Sequence, residues 1–361
     1  MTVHFFDDDA VDVLTRLLQA TSPCGQEDAV AKELVSAMRR AGFDAGRDAV
    51  GNVVGDTGVS GGKHVVLLGH MDTVPGVIPV EQRDGALYGR GSVDAKGPLA
   101  AALVAASRAA PRTRCRLTVI GAVQEEGPSV GARFLASHMD TPDYLVILEP
   151  SGWDALVLGY KGSQRLTVRI EQNNGHTAGP ERSAPERAVQ LWTDLVRWCE
   201  SYNRDRGTSG SGFDSLTATL IGVSSENDGL SDEASLHIGL RLPPGLQPDQ
   251  AMSNVESLIP TENGVRWEIR AADHAESAVR GEKGNSLVAG FLRSMRQESA
   301  QPRFKVKTGT SDMNVVGPVW RCPMLAYGPG DSSLDHTPQE HVMIDEYLKA
   351  VRVLTRVLEE L

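Results

Sequence analysis

Residues 64–72 read His-Val-Val-Leu-Leu-Gly-His-Met-Asp, an apolar run that ends in polar side chains. Two further short apolar runs follow, at Leu117–Val123 and Tyr144–Leu148. Runs of this length are typical of strands that are buried on both faces of a parallel sheet. An Ala-rich stretch at about Gly97–Ala110 predicts a helix between the first two strands. We therefore expect an α/β domain in the first half of the chain.

Polar residues stand at the end of each predicted strand. His70 follows the first run, Glu125 and Glu126 follow the second, and Glu149 follows the third. Open α/β sheets build their binding sites at the carboxyl ends of their strands. These four side chains are therefore expected to share one site.

The pattern changes after residue 160, where strands begin to alternate apolar and polar residues. Predicted elements here are a strand at Gln164–Glu171, a helix at about Ala184–Tyr202, and strands at Ser215–Gly222, Glu233–Leu242 and Val265–Ala271. This is the pattern of an α+β unit, and the α/β style returns past residue 279. The sequence thus predicts an α/β domain of residues 1–160 and 279–361, with residues 161–278 inserted as a second domain.

Composition excludes several classes of protein. The length of 361 residues exceeds the usual size of one hydrophobic core, which supports two domains. A formal net charge of −11 and the lack of a basic run argue against nucleic acid as a partner. No stretch approaches the roughly 20 apolar residues that cross a bilayer, so no membrane association is expected.

The redox and targeting signals favour the cytosol. The chain opens Met-Thr-Val-His-Phe-Phe-Asp-Asp-Asp, which is unlike a secretory signal. The four cysteines lie far apart and form no Cys-x-x-Cys pair, so neither a disulfide framework nor a thiolate zinc site is indicated. We expect a cytoplasmic protein with reduced thiols.

Nitrogen and oxygen ligands recur in order along the chain. Such donors without thiolate suit zinc, cobalt or manganese. Taken singly, each has an ordinary alternative: a lone histidine is more often a core or surface residue, and Asp94 could cap the Ala-rich helix. The candidate metal ligands are His70, Asp94, Glu126, Glu149 and His336.

Four motifs in the same order resemble the M20 metallopeptidase family over nearly the whole chain. They are Gly69–Pro75 (Gly-His-Met-Asp-Thr-Val-Pro), Gly89–Gly97 (Gly-Arg-Gly-Ser-Val-Asp-Ala-Lys-Gly), Glu125–Gly127 (Glu-Glu-Gly) and Gly309–Asp312 (Gly-Thr-Ser-Asp). The resemblance implies a zinc-peptidase-like α/β catalytic domain with an inserted α+β lid or dimerisation domain. It also implies two divalent metal ions, most simply Zn²⁺, with Co²⁺ or Mn²⁺ as alternatives.

The resemblance assigns roles within the metal site. It implies that Asp94 bridges the two metals. It also implies that the peptide bond from Asp94 to Ala95 is cis. His70 and Glu149 then complete one site, and Glu126 and His336 complete the other. Glu125 is implied to be the general base for water, and Asp72 the carboxylate that orients His70.

Other residues are assigned to the substrate. The resemblance implies that His176 reaches the site of a partner subunit in a homodimer formed through the lid, and that Arg241 holds a substrate carboxylate. A rim ion pair is the alternative for Arg241. The remaining candidate substrate contacts are Asn227, where the sequence departs from the family pattern, and the helix-start residues Gly309, Thr310 and Ser311.

The segments Lys307–Asn314 and Ala326–Thr337 resemble one branch most, the hydrolases that release lysine or ornithine from an amino-group carrier protein. The implied substrate is a small acidic carrier protein bearing lysine, or N-acetyl-lysine, in lysine or arginine biosynthesis. An acetylornithine or acetylcitrulline deacetylase, or an M20 di- or tripeptidase, would use the same metal site. A non-catalytic amino-acid-binding scaffold is the alternative from another class, although it would not need Glu125.

Overall fold

A computed structural model describes residues 6–59 and 61–361. It divides the chain into two compact units. The first consists of the residues up to Gly159 together with Gly281–Val306 and Ser311–Leu361, and the second of Tyr160–Arg280 and Lys307–Thr310. Residues 1–5, which open the segment that was compared with a secretory signal, lie outside the described residues. Among the residues that the structure does describe, no helix combines the length and the apolar character needed to cross a membrane.

Helices of the first unit precede and follow the predicted insertion, and those of the second lie within it. The helices are α1 (Asp7–Gln19), α2 (Asp28–Arg40), α3 (Lys96–Ala109), α4 (Val130–His138), α5 (Ala184–Asp205), α6 (Pro248–Ser257), α7 (Ser286–Gln297), α8 (Asp312–Trp320) and α9 (Ile344–Glu360). A short 3-10 helix covers Ser332–Leu334.

Strands of the first unit form a large mixed sheet and a small three-stranded one. The strands before the insertion are β1 (Asp44–Arg47), β2 (Val53–Asp56), β3 (His64–His70), β4 (Glu81–Arg83), β5 (Ala86–Tyr88), β6 (Arg116–Ala122), β7 (Tyr144–Ile147) and β8 (Ala155–Tyr160). The later strands are β9 (Gly162–Asn173), β10 (Thr217–Asn227), β11 (Ser231–Leu242), β12 (Val265–Ala271), β13 (Val279–Arg280), β14 (Arg303–Lys307), β15 (Met324–Ala326) and β16 (His341–Met343).

The centre of the large sheet is parallel and buried. Its order runs β1-β2-β6-β3-β7-β15-β8, with β3 parallel to both β6 and β7. Every residue of β3 after His64 is buried, which explains why the strand reads as a continuous apolar run. α3 is buried along almost its whole length and packs against α1 and α9, so its alanines allow close helix packing.

Strand register places the polar residues at one edge of this sheet. His70 pairs with Ala122 of β6, and Leu68 pairs with Ile147 of β7. Glu149 therefore follows β7 at the level of His70, while Glu125 lies three residues beyond Ala122. The carboxyl ends of the three central strands bring the predicted ligands to the same edge.

The second unit is an antiparallel sheet with two helices. Its order is β10-β11-β9-β12. Buried residues alternate along β9, where Leu166, Val168 and Ile170 enter the core that α5 and α6 cover. α5 begins at Ala184 because the Ser183 side chain accepts the Glu186 amide while Glu186 reaches back to Ser183.

Candidate metal centre

His70 ends β3 with its ring orientation fixed. Its Nδ1 lies 2.9 Å from the backbone oxygen of Asp72, and because a carbonyl only accepts, Nδ1 carries the proton. The ring's other nitrogen, Nε2, lies 3.1 Å from Asp94 Oδ1 and 3.8 Å from Glu149 Oε1. The second ring nitrogen of His70 is therefore presented to two carboxylates, a position from which it could bind a cation together with them.

Asp94 faces two histidines at once. Oδ1 is the oxygen near His70, while Oδ2 lies 3.0 Å from Nε2 of His336. That His336 nitrogen is also 2.9 Å from Glu126 Oε1. The peptide bond from Asp94 to Ala95 is cis, as predicted, and α3 begins at Lys96 with Ala95 at its N-cap, so Asp94 does not cap the helix.

Two groups of ligand atoms share Asp94. One group is His70, Asp94 and Glu149, and the other is Asp94, Glu126 and His336. Within each group the ligand atoms lie within 4.8 Å of one another. Nitrogen and carboxylate donors in this arrangement fit two divalent cations with Asp94 between them, and they suit zinc, cobalt or manganese.

Charge within the cluster also favours cation binding. Burial raises the pKa of Glu126, and the Asp94 carboxylate raises it further. Hydrogen bonding to Asp94 raises the pKa of His336 to about 9, with burial opposing the rise and Glu126 supporting it. Carboxylates gathered this closely repel one another until a positive charge balances them. A bound cation would supply that charge.

Asp72 contacts more than the histidine that it was predicted to orient. Its carboxylate accepts the backbone amides of Glu125 and Glu126, each at 3.0 Å. His70 Nδ1 lies 2.9 Å from the Asp72 carbonyl and 3.5 Å from the carboxylate Oδ1. Asp72 therefore fixes the backbone of the two glutamates and faces the His70 ring through both its main chain and its carboxylate.

Glu125 lies beside the ligands and has an unusual environment. Burial raises the pKa of Glu125 well above its ordinary value, and Glu149 and Asp312 add to the rise while His70 opposes it. A carboxyl group whose pKa is raised in this way is suited to exchange protons near neutral pH.

Three candidate substrate residues, His176, Arg241 and Asn227, lie in the Tyr160–Arg280 part of the second unit. His176 lies in an exposed turn, where its Nδ1 accepts the Ala178 amide at 3.1 Å. Arg241 is near the end of β11, and within the described residues its buried Nη1 has no hydrogen-bond partner. Burial lowers the pKa of Arg241, and Arg165 lowers it further. Arg241 is half-buried, and its Nη1 could still donate to an anionic group.

The side chain of Asn227 is hydrogen-bonded at both ends. Its amide donates to Asn174 Oδ1, just after β9, at 2.9 Å, and its oxygen accepts the Gly229 amide at 2.9 Å. The side chain therefore supports the turn between β10 and β11 and ties it to the residue that follows β9. The departure of this segment from the family pattern coincides with that local role.

The predicted anion-binding loop is partly used as a helix cap. The Ser311 amide donates to Asn314 Oδ1 at 2.9 Å, and Ser311 Oγ accepts the Met313 amide at 3.2 Å. These bonds start α8. Gly309 and Thr310 precede the cap and belong to the second unit.

Sequence reasoning missed one buried carboxylate next to the metal ligands. Glu340 is 1% exposed and accepts the backbone amide of Asp94 at 3.1 Å. Its partners are mostly backbone amides, and bonds to backbone amides do not depend on which side chains the partner residues carry. The sequence therefore shows no motif for this contact. The only signal was an acidic residue four positions after His336.

A family model described as Peptidase family M20/M25/M40 matches residues 66–360. The chain is 45% identical over 356 residues to a LysW-lysine hydrolase of Deinococcus radiodurans, covering 98% of this chain and 97% of that relative. The fold is similar to the aminopeptidase PepT of Bacillus cereus, with a TM-score of 0.80, 18% identity and 99% of both chains covered. It is also similar to an M20 family metallo-carboxypeptidase of Sulfolobus solfataricus, with a TM-score of 0.78, 19% identity, and coverage of 98% of this chain and 99% of that one.

Proposed function

This chain belongs to peptidase family M20/M25/M40, and we propose that it is a metal-dependent amide hydrolase that releases lysine or ornithine from an amino-group carrier protein. The substrate class is supported by the D. radiodurans relative, which is named for lysine and LysW and aligns along nearly the full length of both chains. The peptidase neighbours support the fold alone.

One observation carries the chemistry: the two carboxylate oxygens of Asp94 face two different histidines, at 3.1 and 3.0 Å. We assign His70 and Glu149 to one divalent cation, Glu126 and His336 to a second, and Asp94 to both. Zinc is the first choice because the donors are imidazoles and carboxylates. A bound pair of such cations polarises an amide carbonyl and lowers the pKa of water.

Glu125 is the group that moves the proton. Its carboxylate would accept a proton from the attacking water and return it to the nitrogen of the departing amino acid. Asp72 accepts the Glu125 and Glu126 backbone amides and so fixes the main chain at both residues. From these adjacent positions Glu125 can transfer the proton while Glu126 binds metal. A binding scaffold would need the ligands but not this base.

Arg241 is the candidate for binding a carboxylate of the released amino acid. Its buried Nη1 has no hydrogen-bond partner among the described residues, and a planar guanidinium pairs well with a carboxylate. We retain His176, Gly309, Thr310 and Ser311 as further substrate contacts, and assign Asn227 the weakest part because both ends of its side chain are already hydrogen-bonded.

We propose that the second unit is a lid and dimerisation domain. β10 ends its sheet in the described part of the chain, so its outer edge can pair with another strand. Ile221 and Val223 on this strand are 57% and 62% exposed, and Val189 on α5 is 64% exposed. An open strand edge with exposed apolar side chains fits a second copy of the chain.

We place the protein in the cytosol. Its cysteines, Cys24, Cys115, Cys199 and Cys322, are all free thiols. Free thiols are usual where the cell keeps proteins reduced.

A comparison of substrates tests the proposed reaction. The zinc-loaded protein should cleave carrier-linked lysine with a higher kcat/KM than N-acetyl-lysine, acetylornithine, acetylcitrulline or simple dipeptides. Preference for an acetylated amino acid would make it a small-molecule deacetylase, and preference for dipeptides would make it a peptidase. Binding of lysine without any cleavage would favour the scaffold.

A further inference from the structure

Glu340 is a buried carboxylate enclosed by the loop that carries Asp94. Its Oε1 accepts three backbone amides, from Gly91 and Val93 at 3.0 Å each and from Asp94 at 3.1 Å. Converging backbone amides of this kind form an anion-binding concavity. Here the chain fills that concavity with its own side chain.

Strand pairing brings Glu340 to this loop. β16 pairs with β5, and His341 lies opposite Tyr88. The carbonyl of Glu340 also accepts the Gly89 amide at 3.4 Å. Gly91 has a φ of +87°, and a Cβ there would lie 2.9 Å from Thr73 Cγ2, so the tight loop requires glycine.

Arg90 balances the charge of Glu340. Its Nη1 donates to Glu340 Oε2 at 2.7 Å, and the Arg90 side chain is only 13% exposed. The same guanidinium reaches the carbonyls of Gly76 and Thr337, each at 3.3 Å. Both oxygens of Glu340 are therefore fixed, one by backbone amides and one by a charge-assisted bond from Arg90 Nη1.

Glu340 is connected to two of the proposed metal ligands, Asp94 and His336. It holds the main chain of Asp94, whose carboxylate is shared between the two ligand groups. It also follows His336 by four residues, and Arg90 contacts the carbonyl of Thr337, next to that histidine. The shared carboxylate and the histidine opposite it are therefore tied to one buried charge.

We propose that Glu340 is a positioning residue for the metal centre: it sets the location of Asp94 relative to His336 and so determines how tightly zinc is held. This inference rests on the proposed function. A purely structural role would lower the stability of the fold and leave zinc affinity unchanged, so the two roles can be separated by experiment.

Glu340→Gln is the informative variant. A glutamine can keep one carbonyl oxygen on the three amides, but its NH₂ group would then face the Arg90 guanidinium and could not pair with it. Asp48→Asn is the matched control, because Asp48 Oδ1 also accepts three backbone amides, from Val50, Gly51 and Asn52, at 3.0, 2.9 and 2.9 Å. Asp48 belongs to neither ligand group.

The measurement is zinc retained per chain during titration with a chelator, read by elemental analysis, with kcat and KM on carrier-linked lysine alongside. Glu340→Gln should lower zinc affinity about 10–100-fold, as is usual for residues that support metal ligands, and lower kcat more than it changes KM. Asp48→Asn should lower the thermal midpoint and keep wild-type zinc affinity. Wild-type zinc affinity in Glu340→Gln, or a loss no larger than in Asp48→Asn, overturns the proposal.

Arg90→Lys covers the case in which Glu340→Gln does not fold. It keeps a cation beside Glu340 but loses the fork that reaches three acceptors, so zinc affinity should fall in the same direction by a smaller factor. Unchanged zinc affinity in a folded Arg90→Lys would count against the proposal. A wild-type protein that holds no zinc or releases no lysine would instead refute the proposed function.

Discussion

Asp94 faces one histidine with each of its carboxylate oxygens. Glu125 and Glu126 are adjacent, and their backbone amides both donate to the Asp72 carboxylate. The resemblance of the motifs implied which side chains would meet, and His70 ends a buried strand while Glu126 and Glu149 each follow one. The support of Asp72 and Glu340 was not predictable in detail because both act on backbone amides. Such bonds depend on how loops fold back and not on side-chain type.

Adjacent glutamates should respond differently to the same substitution. Glu125→Gln is expected to keep the bound zinc and lower kcat by about 10²–10⁴-fold, because it removes the proton acceptor. Glu126→Gln should instead weaken zinc binding, since its Oε1 lies beside His336. Zinc content and kcat of both variants check this, with exposed Glu81→Gln as a control. Identical behaviour of the two variants would show that the division of roles is wrong.

Strands β3, β6 and β7 were predictable because burial on both faces leaves continuous apolar runs. β10 was predicted to end at Gly222 but continues to Asn227, because pairing with β11 extends it through exposed residues. β1 and β2 were missed, since these short strands are only partly buried and lack the continuous apolar run that marks β7. α1 was also missed, although Val13, Leu14, Leu17 and Leu18 recur at helical spacing and are buried.

The β2–β6 pairing contains a carboxylate that links stability to pH. Burial alone raises the pKa of Asp56, but hydrogen bonds from Thr118, Gly58 and Arg116 outweigh it and lower the pKa below 3.8. A group whose folded-state pKa is depressed adds stability above its unfolded pKa and loses it as pH falls through the folded pKa.

Asp56→Asn should therefore lower the thermal midpoint at pH 7. The difference from wild type should shrink below about pH 4 and vanish in stronger acid, where Asp56 is itself neutral. Thermal unfolding followed by circular dichroism from pH 7 to pH 2 measures it, with exposed Asp249→Asn as the comparison. A difference that stays constant over this range would mean that the charge of Asp56 contributes nothing.

The exposed outer edge of β10 in the second unit predicts the oligomeric state. Wild type should be a homodimer, and Ile221→Lys should raise its dissociation constant at least about tenfold because it adds a charge to the open β10 edge. Val77→Lys alters a residue of the first unit that is 80% exposed, more than Ile221 at 57%, and should leave the dimer intact. Sedimentation over a range of concentrations distinguishes them. A monomeric wild type, or a dimer unaffected by Ile221→Lys, would contradict the interface.

The division into an α/β unit and an α+β unit followed from periodicity, because each unit buries its own core. Substrate identity did not follow from periodicity at all. It came from short motifs and from a relative with 45% identity. Side chains that contact a substrate lie on loops and turns, where no repeating pattern exists to predict them.

We propose that the metal-loaded protein hydrolyses the amide that joins lysine to a carrier protein. The most direct measurement is the intact mass of lysine-loaded carrier after incubation with the protein, together with the free lysine released. Zinc-loaded protein should convert the carrier to a species lighter by one lysine residue, and release one free lysine per carrier. Protein stripped by a chelator should release none until zinc is restored. A carrier whose mass does not change with the zinc-loaded protein, or lysine release that persists after the metal is removed, would contradict the account.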